Sequence, residues 1–341
     1  MMRVSPLRMP AKMTKFLQSG GPKGLGALLA ALGLSCALLA SAAPLQARPA
    51  GSQQVAVSDA TAPLPYGQGV LWKVEREGQE PSHVFGTIHL NYEEILDLPK
   101  PVKKAFDASR SASFEIKMDR DSMLRMGQAS MFRNWRTLDD VLGPDLYADV
   151  VHVAESYGLT VHHVRRLQPW ALVMFLYQFP GVSTFEETDD PFLDKWLHDE
   201  ALEQDKKVYP LETIEEHVGV FNDLPEKMLR KLVRGLVEAH GEFQIEAEMR
   251  HQQMVELYLA RDIGGIMALT AESDQDPRYA EVNAVVMERL LDRRNHNMVQ
   301  RMEMRLKEGK AFIAVGAGHL PGKEGVLNLL AQKGYKLTRV Y

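Results

Sequence analysis

Val84-Phe85-Gly86-Thr87-Ile88-His89 and, near the other end of the chain, Ala314-Val315-Gly316-Ala317-Gly318-His319 share one plan: apolar strand, Gly-x-x-His, helix, further strand. The glycine lets the backbone turn tightly where the strand stops, and the histidine then lies just beyond the strand end. Strand ends beside a sheet crevice are where open α/β folds hold ligands. The matching pair admits two readings, an internal duplication or the common grammar of strand, glycine turn and helix. Either way the order of elements is βαβ-like and predicts an α/β fold.

Working outward, Val70–Val74 and Ser82–Gly86 read as strands joined by the polar turn Glu77-Gly78-Gln79-Glu80. A helix is expected over Lys100–Ala108, and a short strand over Ala112–Ile116 that carries Glu115 at its end. The middle is helical in pattern: Leu138–Tyr157, Leu167–Tyr177, Phe192–Leu202, and Pro225–Leu259 with a break near Gly235 or Gly241. Within it, Lys207–Leu211 is a short extended run leading to Glu212. The last unit predicts a helix over Arg278–Leu306, a strand over Lys310–Gly316, a helix near Lys323–Lys333 and a strand over Tyr335–Tyr341.

The chain has 341 residues, 45% apolar and 25% charged, which excludes collagen-like, coiled-coil and wholly disordered classes. Its net charge of -5 is unevenly spread. Residues 1–42 hold Arg3, Arg8, Lys12, Lys15 and Lys23 and no acid, leaving 35 basic against 45 acidic residues in the remainder. The apolar run Leu25–Ala40 follows, with Ala40-Ser41-Ala42 or Leu45-Gln46-Ala47 as small-residue cleavage sites, so residues 1–42 are expected to be a secretory signal peptide. A membrane anchor is the alternative, although the run is shorter than the roughly 20 residues a spanning helix needs. Residues 43–68, rich in Ala, Pro, Ser and Gly, are expected as a flexible linker, and 69–341 as one composite domain. The protein is therefore expected in the periplasm or secreted, with possible association with the cell envelope. Cys36 lies inside the apolar run, so the mature chain would carry no thiol, and cysteine-protease or thiolate-zinc chemistry is excluded. An acidic body without a basic stripe argues against nucleic acid as a partner.

The paired His89 and His319 are candidate metal ligands or proton relays. Glu115 and Glu212, both at strand ends, are candidate ligands, general bases or residues that orient a histidine. In the helix before the last strands, Met287, Leu291, Asn295, Met298, Met302 and Leu306 follow a three-four spacing with Arg294 beside them. Arg294 and Asn295 are thus expected to point into the site, the first toward a carboxylate or developing oxyanion, the second toward water or a carbonyl. The competing reading is a structural ion pair and a surface amide. Most of the 17 methionines fall at helical spacings as core filler rather than as copper ligands. His-Glu-x-x-His, Gly-x-Ser-x-Gly and the phosphate-binding loop are all absent from the sequence.

Phe85-Gly86-Thr87-Ile88-His89, Glu115, Tyr209-Pro210-Leu211-Glu212-Thr213, Arg294-Asn295, and Gly316-Ala317-Gly318-His319-Leu320-Pro321-Gly322 with Gly325 and Gly334-Tyr335 together resemble the TraB/GumN family, which is related to the TIKI-type metalloproteases. These features span nearly all of residues 69–341. His217 departs from the pattern, since such bacterial proteins usually show glutamine there. The resemblance implies a helix-rich α/β fold, with a central mixed sheet, paired strand–Gly-x-x-His–helix elements and a helical middle insertion. It also implies a divalent-metal hydrolase centre, with manganese, cobalt or zinc as candidate cofactors. His89 and His319, with Glu115 and Glu212, would position a metal–water pair against an amide carbonyl while Arg294 meets the oxyanion. The substrate would be a peptide or small polar molecule. The alternatives are a non-catalytic cell-envelope protein that binds a polar ligand, and a small-molecule esterase.

Overall fold

The computed structural model describes residues 64–156, 159–176, 191–221, 224–242, 244–273 and 276–341. The expected signal peptide, residues 1–42, lies outside them. Six strands form one sheet: β1 (Leu71–Glu75), β2 (Ser82–Thr87), β3 (Ser111–Phe114), β4 (Lys207–Pro210), β5 (Ala311–Gly316) and β6 (Lys336–Arg339), in the order β4-β3-β5-β2-β1-β6. β4, β3, β5 and β2 run parallel, and β1 is antiparallel to both β2 and β6, so the sheet is mixed as expected.

The central strands are apolar because both sheet faces are covered. Alternate side chains of β5 enter different cores: Phe312 and Ala314 pack with Phe85, Phe106, Phe114 and the helical middle, whereas Ile313 and Val315 pack with Val84, Met298, Met302 and Val326. One face thus carries the insertion, including the fully apolar helix Pro169–Leu176, and the other carries the closing helices Arg293–Glu308 and Val326–Gln332. No helix of the described residues is long and apolar enough to cross a membrane.

The expected elements are present, with boundaries moved by local chemistry. β3 stops at Phe114, leaving Glu115 beyond the strand. The segment expected as one helix from Leu138 divides at Gly143, whose φ of 80° an L side chain rarely adopts. Over Pro225–Leu259 the described residues form the helices Glu226–Glu242 and Gln244–Leu259; Gly235 lies well inside the first, so no break falls there, and residue 243, beside the expected break near Gly241, lies outside the described residues. The expected helix Arg278–Leu306 is interrupted by a π-helical turn, Glu288–Asp292, directly before Arg294. Such turns insert an extra residue and shift the face that follows. Residues 64–68, expected within the linker, make specific contacts: Gly322 N–H donates to the Pro65 carbonyl at 2.9 Å, and Tyr66 meets Trp72 edge-on.

Register places the functional ends side by side. Gly86 pairs with Val315 and Thr87 with Gly316, so both Gly-x-x-His segments leave adjacent parallel strands at the same edge. Phe114 pairs with Pro210, which brings Glu115 and Glu212 out next to each other. Close approach at this edge requires a glycine at position 86, where a Cβ would lie 3.0 Å from the Ala317 Cα and 2.6 Å from Leu320 Cδ1. Gly86→Ala is expected to cost about 1–3 kcal/mol through overpacking. Urea denaturation checks this, and unchanged stability would show that the two turns are not packed as described.

Candidate metal centre

The C-terminal ends of the four parallel strands deliver, in sheet order, Glu212, Glu115, His319 and His89. His89 lies two residues beyond β2. Its Nδ1 is 2.7 Å from Asp194 Oδ2, and Thr87 Oγ1 donates to Asp194 Oδ1 at 2.6 Å. Asp194 comes from the first turn of the helix Leu193–Glu203 and is 2% exposed. His319 closes the 3-10 turn Ala317–His319 after β5, and its Nδ1 is 2.7 Å from Asn295 Oδ1. The Asn295 Nδ2 donates to the Glu324 carbonyl at 2.9 Å, which turns Oδ1 toward the ring. His319 Nδ1 must then donate, and the lone pair of the neutral ring resides on Nε2.

Neither His89 Nε2 nor His319 Nε2 has a hydrogen-bond partner among the described residues, although both atoms are buried. Buried polar atoms of this kind are rare and require an explanation. Glu115 Oε1 lies 3.7 Å from His319 Nε2 and accepts the Gly316 N–H at 2.7 Å. All three groups converge on Gly316, where a Cβ would meet Glu115 Oε1 at 3.2 Å, His319 Cδ2 at 3.6 Å and His89 Nε2 at 3.9 Å. Two imidazoles whose inward Nε2 atoms offer lone pairs when the rings are neutral, together with a carboxylate, form a donor set that suits manganese, cobalt or zinc.

Glu115 and Glu212 also face a second locus. Each lies within 4.8 Å of the other and of His217 through potential ligand atoms, an arrangement capable of holding a cation. A guanidinium is already there. Arg294 Nε donates to both Glu212 oxygens at 3.0 Å, and its Nη2 donates to Glu212 Oε2 at 2.7 Å and to Glu115 Oε2. The same Nη2 is 3.2 Å from His217 Nδ1, and Nη1 donates to the Leu290 carbonyl at 3.2 Å. A metal ion would have to displace this charge, so the fit favours the His89–His319–Glu115 side.

Local sequence explains how Glu212 and Arg294 meet. Thr213 and Glu216 form a reciprocal capping box at the helix Ile214–Val218, immediately after Glu212. Arg301 donates to the Leu211 carbonyl at 2.6 Å and pairs with Glu216, binding this turn to the helix that carries Arg294.

The electrostatics follow from burial and partners. Burial pushes His319 down to about 4, with Glu115 opposing and Arg294 assisting, so the ring is neutral at pH 7. Burial likewise works against a charged His89, but the charge and hydrogen bond of Asp194 outweigh it and raise its pKa. For Glu115, burial favours the neutral acid, yet Arg294, His319 and His89 hold it well below the usual carboxylate range. Glu212 is lowered to about 2, as Arg294 and His217 overcome its burial.

The arrangement refines the roles expected from sequence. His89, His319 and Glu115 come together at one point, whereas both Glu212 oxygens are engaged by Arg294 rather than aimed at that point. Of the two expected partners of Arg294, a carboxylate or a developing oxyanion, its donors serve the first, meeting two carboxylates and also a carbonyl, because it is buried between them. Asn295 was expected to orient water or a carbonyl and instead orients His319. Asp194 escaped the sequence reading. Its signal was an acid at helical spacing from His198 and Ala201 on a face that is buried.

The model of the TraB/PrgY/gumN family matches residues 70–339. Metalloprotease TIKI2 of Xenopus tropicalis is 27% identical over 319 residues, covering 78% of this chain and 59% of that protein. Metalloprotease TIKI1 of Homo sapiens is 24% identical, covering 78% of this chain and 61% of its own. The match to each thus spans about three fifths of the relative's length. An uncharacterized protein of Treponema pallidum (strain Nichols) is 20% identical over 279 residues, covering 79% and 82% of the two chains.

Two outcomes follow from the buried ion cluster. Arg294→Met leaves two carboxylates without their cation and is expected to destabilise the fold by about 3–5 kcal/mol in chemical denaturation; a change below about 1 kcal/mol would contradict the buried pairing. Because the folded Glu212 value is below the ordinary 4.5, its contribution is present above that pH and is lost as pH falls toward about 2. Unfolding free energy measured stepwise through this window should decline, and the decline should be shallower in Glu212→Gln.

Proposed function

The chain belongs to the TraB/PrgY/gumN family, and from that membership we propose that it is a divalent-metal-dependent hydrolase of the peptidase type, holding its cation through His89, His319 and Glu115. The observation that carries this reading is the pair of buried, unpartnered Nε2 atoms flanking Glu115 Oε1 above Gly316. Charge supports it. Glu115, Glu212 and Asp194 are carboxylates against the single guanidinium of Arg294, and these four residues are 2–4% exposed. With neutral imidazoles the cluster carries two net negative charges, the complement of a divalent ion. The relatives named metalloproteases support the choice of a peptide as substrate.

A bound divalent cation would supply Lewis acidity to a water molecule and to the scissile carbonyl. The protein supplies geometry. Asn295 and Asp194 hold the two rings with Nε2 turned inward. Glu115, kept anionic by Arg294, is a ligand rather than a proton acceptor near neutral pH, because so weak a base takes up little proton. Arg294, itself held by Glu212, fixes the outer oxygen of Glu115 and so leaves its inner oxygen facing His319. The basic residues before the apolar run Leu25–Ala40 support export to the periplasm or beyond.

Purified protein reconstituted with manganese, cobalt or zinc should retain about one cation per chain by elemental analysis. His89→Ala/His319→Ala should lose it, together with chelator-sensitive cleavage of a peptide library. Retention of metal by the double variant, or chelator-insensitive cleavage by the parent, would overturn the proposal.

A further inference from the structure

The two histidines are supported unequally. His319 leans on a neutral amide, Asn295, whereas His89 leans on a carboxylate, Asp194. Asp194 is itself locked, because Thr87 Oγ1 donates to its other oxygen at 2.6 Å. Thr87 and His89 are both residues of Gly86-Thr87-Ile88-His89, so one segment presents a hydroxyl and an imidazole to the two oxygens of one buried acid. Asp194 arrives from the helical middle, on a helix that is anchored to the same turn by the Leu193 N–H to Leu90 carbonyl bond of 3.1 Å.

We propose that Asp194 is a positioning residue for metal binding: it holds His89 in the tautomer with Nε2 free and adds the negative charge that makes His89 the stronger of the two imidazole ligands. A carboxylate on Nδ1–H increases the basicity of the opposite nitrogen, whereas an amide acceptor does so less. Asp194 also supplies one of the three carboxylate charges in the cluster, and without it the balance with Arg294 falls from two net negative charges to one. Thr87 prevents Asp194 from rotating away from the ring. The second position of this Gly-x-x-His segment is therefore functional through its hydroxyl, whereas the corresponding Ala317 of the other segment has none. The inference rests on the metal-dependent reading above and extends it to residues outside the ligand set.

Asp194→Asn separates charge from shape. The amide oxygen can still accept from His89 Nδ1, and its NH2 can donate to the Thr87 hydroxyl, so the fold should survive with one negative charge removed. Thr87→Val retains the charge and removes the lock. Binding of manganese(II) alone, measured by chelator competition, is expected to weaken about 10- to 100-fold in Asp194→Asn and by a smaller factor in Thr87→Val. Cobalt(II) reconstitution adds a readout that packing alone does not move: the visible ligand-field spectrum should shift in Asp194→Asn. A folded Asp194→Asn variant with parental affinity and spectrum would overturn the inference while leaving metal binding intact. A parent protein that binds neither cation would instead remove the metal-dependent reading, and this inference with it.

Discussion

Glu115 is held at three points. Its outer oxygen receives the Arg294 guanidinium, its inner oxygen receives the Gly316 N–H, and its backbone carbonyl receives the Glu212 N–H at 2.7 Å. Those bonds connect the end of β3, the turn after β4, the glycine ending β5 and the helix Arg293–Glu308. A carboxylate this buried is stable only because each oxygen has a donor and a cation lies beside it. Its burial therefore constrains every element around it: the guanidinium must arrive, a side chain at Gly316 would crowd the carboxylate at 3.2 Å, and the neighbouring strands must end together.

The sheet meets that constraint through direction. Four adjacent strands run parallel, so their C-terminal ends open on one edge and their following residues meet there. Helices cover both faces and exclude water from the bodies of the central strands β2, β3 and β5, leaving their C-terminal ends as the place where buried polar side chains gather. The π-helical turn at Glu288–Asp292 serves the same end, since it precedes Arg294 and Asn295 and sets the face on which these two residues are presented. One helix then supplies both the cation for Glu115 and the amide for His319.

The Gly-x-x-His pairs, the acids at strand ends and the Arg294-Asn295 pair were legible because each interrupts an apolar pattern with a polar residue that local structure cannot use. The alternation of strand and helix was legible for the same reason, through periodicity. Asp194 was harder to see. An acid on an amphipathic helix is ordinarily solvated, and only the packing of Leu193–Glu203 against the His89 turn shows that this one is buried. The division of labour between the acids was equally hidden: Glu115 and Glu212 have the same local setting, but Glu212 spends both oxygens on Arg294 and Glu115 only one.

Sequence alone determined the element types, the family resemblance and the set of residues from which a site could be built, since these depend on spacing and residue chemistry along the chain. Tertiary structure decided which nitrogen of each histidine faces inward, which carboxylate meets the guanidinium and which acid supports His89. Those choices depend on donors brought from distant segments, such as Asp194 and Asn295, and on burial that makes every unmet hydrogen bond costly. The chain names the polar groups; only the closed sheet edge pairs them.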